Sequence, residues 1–299
     1  MSDQPSIAFI GLGVMGYPMA GYLARQGYET VVYNRTVRKS DRWLSEYPGV
    51  IAVTPEEASK GADIVFCCVG NDDNLRQVTI GPGGAFMGMK PGSIFVDHTT
   101  TSADIARELS EIAATRMLDF IDAPVSGGQA GAENGRLTIM CGGSEAVFNR
   151  VARVMKCYSK SIRLMGGVGS GQLTKMVNQI CIAGIVQGLS EGLHFAKKTG
   201  LDVEAVVDVI SKGAAQSWQM ENRYKTMMTG DYNHGFAVDW MRKDLAICMK
   251  EAEKFGSALP LTALIDQFYK DIQVMGGGRW DTTSLLARLE VIAASTLHF

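Results

Sequence analysis

The chain has 299 residues, enough for one large domain or two of medium size. With 46% hydrophobic and 20% charged residues it has the composition of a globular protein, and its net charge of −2 gives no electrostatic support to a role in binding nucleic acid or an anionic membrane. The N-terminal stretch lacks the basic region and the long apolar region that are typical of a signal peptide. The most apolar stretch, residues 176–196, is interrupted by polar side chains as in a buried helix. We therefore expect a cytoplasmic protein without a membrane segment.

Cysteine and histidine are placed without any metal-binding pattern. The six cysteines form no CxxC pair, which is typical of reduced thiols in a cytoplasmic protein. The histidines show no metal-ligand spacing, and we expect no metal site; they are His98, His194, His234 and His298.

The first half alternates short apolar runs with helical patterns. A predicted strand over residues 6–13 is followed by a helix over 16–27. Further strands are predicted at 29–35, 62–70, 92–100, 117–125 and 136–143. Buried strands alternating with helices predict a doubly wound parallel sheet of the Rossmann type, with a ligand crevice at the carboxyl ends of its strands.

The pattern changes at the glycine-rich stretch that begins at Gly166. A long helix over about 170–198 follows, and the remaining apolar residues recur at helical spacing. We predict a dinucleotide-binding domain over 1–165 and an all-helical domain over 166–299 that begins with this helix.

The sequence "GLGVMG" places GxGxxG between a predicted strand and a helix, the context that dinucleotide binding requires. Its first glycine allows a tight turn, the second a close approach to a pyrophosphate, and the third close packing of helix on sheet, while the helix N-terminus attracts phosphate. The predicted cofactor residues are Gly11, Leu12, Gly13, Val14, Met15 and Gly16.

The second strand ends in Asn34, Arg35 and Thr36, where NAD-binding proteins place an acid for the ribose hydroxyls. An acid would repel a 2′-phosphate, whereas arginine suits it and the two neighbours add neutral donors. These three residues predict a preference for NADPH over NADH. The alternative is that Arg35 is only a solvated surface residue.

Four ordered motifs resemble the β-hydroxyacid dehydrogenase family, which includes 3-hydroxyisobutyrate dehydrogenase, tartronate semialdehyde reductase and the glyoxylate/succinic semialdehyde reductases. They are "IAFIGLGVMGYPMA", "DAPVSGGQAGAENGRLTIMCGG", "GSGQLTKMVNQ" and "MRKDL", and they extend over nearly the whole chain. The resemblance implies a Rossmann-type domain joined by a long helix to a helical domain.

The resemblance also implies roles for residues in these motifs. Lys175 matches the catalytic lysine, and the substrate-carboxylate loop matches Ser126, Gly127 and Gly128. Cofactor contacts are implied at Val69, Gly70, Thr100 and Lys243, although the family commonly has Leu-Pro at the first two positions. Where the family often has asparagine, this chain has Gln179 preceded by Asn178, and which amide meets the substrate is left open.

The chemistry of these residue types supports hydride transfer between a nicotinamide and a small carboxylate substrate. Lys175 can polarise a carbonyl and give a proton to the alkoxide that forms, with Asn178 on the same helix face assisting it and Gln179 near the substrate. The hydroxyl and backbone N–H groups of the SGG loop suit a carboxylate. Lys243 has a second interpretation, a surface lysine paired with Asp244 or Glu251, and Trp218 and Phe236 either border the pocket or belong to the core.

We therefore expect an NADP(H)-dependent oxidoreductase that interconverts a small β-hydroxyacid and its semialdehyde, or reduces a small 2-oxoacid. The alternatives are an imine reductase or reductive aminase, whose members usually lack the lysine, and a non-catalytic cofactor-binding interaction protein. The apolar helical domain suggests a homo-oligomer, dimer or tetramer. Neither the substrate nor the physiological direction follows from the sequence.

Overall fold

The computed structural model describes residues 4–296 and divides into two compact units. The first unit ends at Lys175 and the second begins at Met176. Each unit has hydrophobic clusters of its own, two in the first and two in the second, as expected of units that bury separate cores.

The first unit is built on a nine-stranded sheet. Its strands are β1 (Ile7–Ile10), β2 (Thr30–Tyr33), β3 (Val50–Ile51), β4 (Ile64–Cys67), β5 (Ile94–Asp97), β6 (Asp119–Asp122), β7 (Val125–Ser126), β8 (Leu137–Gly142) and β9 (Ser159–Gly166). They are ordered β3-β2-β1-β4-β5-β6-β8-β7, with β9 beside β8. The first six strands pair in parallel and have the strand order of a Rossmann fold, which confirms the predicted class.

The central strands are apolar on both faces. Every residue of β1, β4 and β5 is buried, because helices cover both sides of a parallel sheet. Alternate side chains point to opposite faces. Phe9 and Phe66 therefore lie in one hydrophobic cluster, whereas Ile10, Val65 and Phe95 lie in the other.

Eight helices lie in the described part of the first unit. They are α1 (Gly16–Arg25), α2 (Val37–Glu46), α3 (Pro55–Ser59), α4 (Asp72–Thr79), α5 (Ala85–Gly88), α6 (Ala103–Thr115), α7 (Gly128–Glu133) and α8 (Glu145–Met155). Four start at a polar side chain that accepts a helix N–H group, namely Thr54, Asn71, Ser102 and Ser144. Each such cap stabilises its helix by about 1 kcal/mol.

The sheet contains more than the predicted parallel strands. β8 runs antiparallel to β6 and β7, and β9 and the two-residue β3 were not predicted. In β9 exposed residues such as Lys160 and Arg163 interrupt the apolar ones, so this strand lacks the continuous apolar run of a buried parallel strand.

The described residues of the second unit form helices and connecting loops, with one isolated β-bridge between Ala237 and Asp281. A single long helix, α9 (Ser170–Lys198), begins in the first unit and continues into the second. The others are α10 (Val203–Ile210), α11 (Trp218–Thr229), α12 (Val238–Phe255), α13 (Pro260–Val274) and α14 (Leu285–Thr296). Within residues 4–296 no helix combines the length and hydropathy needed to cross a lipid bilayer.

The core of the second unit follows helical spacing. On α12 the buried apolar residues are Val238, Met241 and Leu245, and on α13 they are Ile265, Tyr269 and Ile272. Steps of three and four residues put each set on one face of its helix.

Candidate functional site

The order in which strands are added to the sheet reverses between β1 and β4. β1 leads outward through β2 to β3, whereas β4 leads the other way through β5 to β6. Connections that diverge from two adjacent parallel strands leave a crevice at their carboxyl ends, where α/β proteins bind ligands. Residues 11–16 follow β1 and residues 68–70 follow β4, so both predicted cofactor segments lie at this edge.

The three glycines of the loop meet different surroundings. Gly11 has φ +98°, and a Cβ there would collide with the carbonyl oxygen of Cys68. At Gly16 a Cβ would collide with the carbonyl oxygen of Gly11, whereas at Gly13 no atom lies within 4 Å of it. Two glycines are therefore required by the chain's own packing, and the middle one borders open space, as needed where a backbone meets a pyrophosphate.

The remaining residues of the loop also have definite positions. Leu12 is buried, Val14 is 57% exposed and Met15 is half-buried. The first turn of α1 contains no acidic residue, so no carboxylate of that turn would repel a phosphate at the helix N-terminus.

Asn34 joins the loops that follow β1 and β2. Its Oδ1 accepts a hydrogen bond from the Leu12 N–H at 2.9 Å, and its Nδ2 donates to the Thr36 carbonyl at 3.0 Å. Arg35 and Thr36 are exposed, and no described carboxylate forms an ion pair with Arg35. The structure therefore shows Asn34 supporting the glycine loop, a role that the sequence did not indicate, and presents a cation beside that loop.

The loops after β4 and β5 are joined by two contacts. The Val69 N–H donates to Thr99 Oγ1 at 3.0 Å. Asp72, at the start of α4, accepts from the N–H of Ser102 at 3.0 Å and from its hydroxyl at 2.5 Å. These contacts hold the half-buried residues Val69, Gly70 and Thr100 at the same edge of the sheet.

Two buried carboxyl groups lie behind this edge. Asp97 and Asp122 are adjacent in register on β5 and β6, and both are fully buried. Burial raises the pKa of Asp97 to about 7, although the Thr99 N–H donates to it at 2.9 Å. Burial raises the pKa of Asp122 to about 6, and backbone N–H groups oppose that shift.

His98 is a neutral structural residue. Its Nδ1 lies 2.6 Å from the Ala123 carbonyl, so Nδ1 carries the proton and Nε2 accepts from the Tyr158 hydroxyl at 2.9 Å. The ring stacks on Phe66, and burial lowers the pKa of His98 to about 4.

The predicted carboxylate loop follows β7. Ser126 pairs with Thr138 of β8 and is half-buried. Gly127 and Gly128 have φ +134° and +59°, conformations that other residues rarely adopt, and a Cβ at Gly128 would meet nothing within 4 Å. The strand therefore ends in an exposed turn of two glycines that follows the Ser126 hydroxyl.

The start of α9 is bonded to the sheet. Asp122 accepts from the Gly169 N–H at 2.7 Å and from the Gln172 N–H at 2.9 Å. The Gln172 side chain donates to the Thr99 carbonyl at 2.7 Å and accepts from the Thr101 N–H at 3.1 Å. Lys175 follows one helical turn later and is 7% exposed. Sequence reasoning missed Asp122 and Gln172, although both belong to motifs quoted above.

In the second unit, the amides of α9 contact the "KDL" segment of α12. Gln179 is buried; its Nε2 donates to Asp244 Oδ2 at 2.7 Å, and its Oε1 accepts from Asn178 at 2.8 Å. Lys243 forms an ion pair with Asp244 at 3.0 Å. The side chain of Gln179 thus has protein partners at both ends, Asn178 is the more accessible amide, and the ion pair expected of a surface Lys243 is present.

The second unit contains a groove, and neither Trp218 nor Phe236 lines it. Trp218 is 49% exposed and lies under the Arg223 guanidinium, and Phe236 packs on the core of this unit. The groove, of about 500 Å³, is lined by other residues that include Tyr232, Trp280 and Glu290.

Potential metal ligands are dispersed. Within residues 4–296 no three His, Cys, Asp or Glu side chains come together as metal ligands do. His298 lies outside the described residues.

Comparison with protein-family models accounts for almost the whole chain. Residues 6–167 match the NAD binding domain of 6-phosphogluconate dehydrogenase, and residues 169–289 match the NAD-binding domain of NADP-dependent 3-hydroxyisobutyrate dehydrogenase.

Individual relatives align over most of their length. An uncharacterized oxidoreductase of Shewanella frigidimarina is 63% identical over 95% of this chain and 98% of its own. A probable 3-hydroxyisobutyrate dehydrogenase-like protein of Arabidopsis thaliana, named as mitochondrial, is 39% identical over 96% and 86%. The solved structure of Mycobacterium tuberculosis 3-hydroxyisobutyrate dehydrogenase with L-serine is 26% identical, covers 96% of this chain and 99% of its own, and superposes with a TM-score of 0.86.

These matches agree with the glycine loop, the strand order and the ordered motifs. The protein is an oxidoreductase with an NAD(P)-binding domain, and the chain belongs to the β-hydroxyacid dehydrogenase family.

Proposed function

We propose that this protein is an NADP(H)-dependent reductase of small aldehyde acids, interconverting a β-hydroxyacid and its semialdehyde or reducing a small 2-oxoacid. The observation that carries the proposal is the conjunction of an open glycine loop with the buried Lys175 in one compact unit. The names of the relatives, 3-hydroxyisobutyrate dehydrogenase among them, support the substrate class.

The residues at the crevice edge fit a dinucleotide. Gly13 leaves room for a pyrophosphate, and Val69 borders Gly11 of the loop. Val69, Gly70 and Thr100 would meet the nicotinamide side of the cofactor. Arg35 and Thr36 are exposed at the end of β2, where a 2′-phosphate would be received, and Asn34 holds the neighbouring loop in place. This arrangement supports a preference for NADPH over NADH.

The bound nicotinamide would supply or take up the hydride. Lys175 would donate to the carbonyl oxygen and deliver a proton to the alkoxide as it forms. Asn178, three residues on along α9, would orient the lysine or the substrate hydroxyl. Gln179, which the sequence suggested as a substrate contact, would act through Asn178 because its own carboxamide is bonded to Asp244 and Asn178.

The substrate carboxylate would bind at Ser126, Gly127 and Gly128, where a hydroxyl adjoins two exposed glycines whose backbone N–H groups would donate to the carboxylate. The Mycobacterium tuberculosis relative was solved with L-serine, a small hydroxylated carboxylate, which supports a ligand of this size. For Lys243 a cofactor contact rests on the family resemblance alone, and its observed partners include Asp244 and the Trp240 ring.

The assembly and location remain predictions. A homo-oligomer is supported by exposed apolar residues along α9, namely Val177, Ile185 and Phe195. A mass of one chain by light scattering at micromolar concentration would contradict it. A cytoplasmic location is supported by the six cysteines, none of which forms a disulfide.

The proposal is tested by assaying the purified protein with NADPH and with NADH against one panel of acids. The panel contains glyoxylate, tartronate semialdehyde and succinic semialdehyde for reduction, and 3-hydroxyisobutyrate for oxidation. We expect one member to be turned over with a higher kcat/KM for the phosphorylated cofactor. Turnover of cyclic imines but of no panel member would instead favour an imine reductase, and NADPH binding without turnover of either would favour a non-catalytic cofactor-binding protein.

A further inference from the structure

Gln172 is a buried side chain whose two polar ends are bonded to one loop. It is 0% exposed; its Nε2 donates to the Thr99 carbonyl at 2.7 Å, and its Oε1 accepts from the Thr101 N–H at 3.1 Å. These partners flank Thr100, the predicted cofactor contact in this loop. Because the planar carboxamide donates to one residue of this backbone and accepts from another, it fixes both the orientation of the loop and its distance from α9.

The main chain of the same residue is fixed from a second strand. Asp122, at the end of β6, accepts from the N–H of Gly169, which directly precedes α9, and from the N–H of Gln172 in its first turn, which has no partner inside the helix. The approach is close, since a Cβ at Gly171 would lie 2.7 Å from the Asp122 carboxylate. The helix therefore starts at one position over the ends of β5 and β6.

The position of Lys175 depends on where this helix starts. It lies three residues after Gln172, which is about 4.5 Å along the axis and nearly the same face of the helix. An α-helix is stiff over one turn, so the separation between the lysine backbone and the Thr99–Thr101 loop is determined by the Gln172 contacts. Loss of those contacts would free the loop that carries Thr100 to shift relative to the helix start, which Asp122 would still hold.

We propose that Gln172 is a positioning residue for the reaction, holding Lys175 at a fixed distance from the Thr99–Thr101 loop while Asp122 holds the helix start. The inference rests on the proposed function, in which Lys175 handles the proton and the loop borders the cofactor. Misplacement of a catalytic group by about 1 Å can lower a rate by about 100-fold, so a positioning role should appear in kcat rather than in cofactor binding.

The test compares Gln172→Met with Gln187→Met. Both glutamines are buried on α9, but Gln187 lies about four turns further on and its Nε2 bonds Glu191. Each variant is assayed for kcat, KM for NADPH and the primary isotope effect with NADPH deuterated at the transferred position, using the most active aldehyde acid of the panel. For Gln172→Met we expect kcat to fall about 10- to 100-fold with a larger isotope effect and little change in KM, and for Gln187→Met we expect wild-type values.

A second, more conservative variant tests the same role in case Gln172→Met does not fold. Gln172→Glu keeps an acceptor for the Thr101 N–H, and in its ionised form it cannot donate to the Thr99 carbonyl, so we expect an intermediate kcat. Wild-type kcat in both Gln172 variants, or equal losses in Gln187→Met, would overturn the positioning role. Full activity of Lys175→Ala would instead overturn the proposed function, so the two failures are distinguishable.

Discussion

Replacing Asp97 by asparagine should stabilise the dinucleotide-binding unit at alkaline pH far more than at acidic pH. The carboxyl is fully buried, its Oδ1 accepts from the Thr99 N–H at 2.9 Å, and burial raises its pKa to about 7. Asparagine can keep the bond to Thr99 through its own carbonyl and has no charge to bury.

The expected magnitude follows from linkage. A carboxyl with a folded-state pKa of about 7 and an unfolded value of 3.8 binds more protons in the folded state, so it lowers stability progressively as pH rises from about 4 to about 7. For Asp97 alone the loss between pH 5 and pH 8 amounts to about 3 kcal/mol. Titration of His98 acts in the opposite direction, because its folded pKa is lowered to about 4, but it is common to both proteins and cancels in the comparison.

The assay is urea unfolding of wild type and Asp97→Asn at about pH 5 and pH 8, followed by fluorine NMR of fluorotryptophan. Trp43 is the one tryptophan of the first unit and is fully buried, so its resonance reports that unit separately. We expect the variant's gain in unfolding free energy to be larger at pH 8 by about 2–3 kcal/mol. A gain or loss that is the same at both pH values would refute the assignment of a raised pKa to Asp97.

Four further substitutions separate cofactor binding from folding. Gly13→Ala should fold normally but weaken the binding of both cofactors roughly tenfold, which is about 1.4 kcal/mol. Gly11→Ala should lose roughly 2 kcal/mol of stability or more, because it combines φ +98° with a collision against the backbone. Equal thermal stabilities of the two variants would contradict this contrast. Arg35→Ala should raise KM for NADPH by at least about tenfold and leave KM for NADH unchanged, and equal effects on the two would return Arg35 to the role of a surface residue. Gln179→Leu should lower the unfolding free energy of the second unit by about 1–3 kcal/mol, since it removes a partner from the buried Asp244 carboxylate; unchanged urea stability would contradict this.

The sequence was sufficient for the architecture because buried parallel strands are apolar throughout. The continuous apolar stretches that form β1, β4 and β5 can be recognised in the sequence alone, and the glycine loop follows the first of them. β9 was missed because exposed residues interrupt its apolar ones, and the antiparallel pairing of β8 depends on turns that leave no periodic signal.

The site was only partly accessible from the sequence. Gly11 and Gly16 stand where the motif requires them, and the structure supplies the collisions that make them necessary. The bonds from Gln172 to Thr99 and from Gln179 to Asp244 join residues 73 and 65 positions apart, and single-sequence spacing carries no information about such pairs. The same holds for Asn34, which was predicted as a cofactor donor and is seen bonded to the glycine loop.

The central claim is that this dehydrogenase uses Lys175 as its general acid and base. Single-turnover reduction of the best aldehyde acid of the panel by bound NADPH tests it most directly. Lys175→Ala is compared with Lys198→Ala, an exposed lysine near the end of the same helix. We predict that Lys175→Ala slows the reduction by about 100- to 10,000-fold while NADPH still binds, and that Lys198→Ala matches wild type. A wild-type rate in Lys175→Ala would contradict the account.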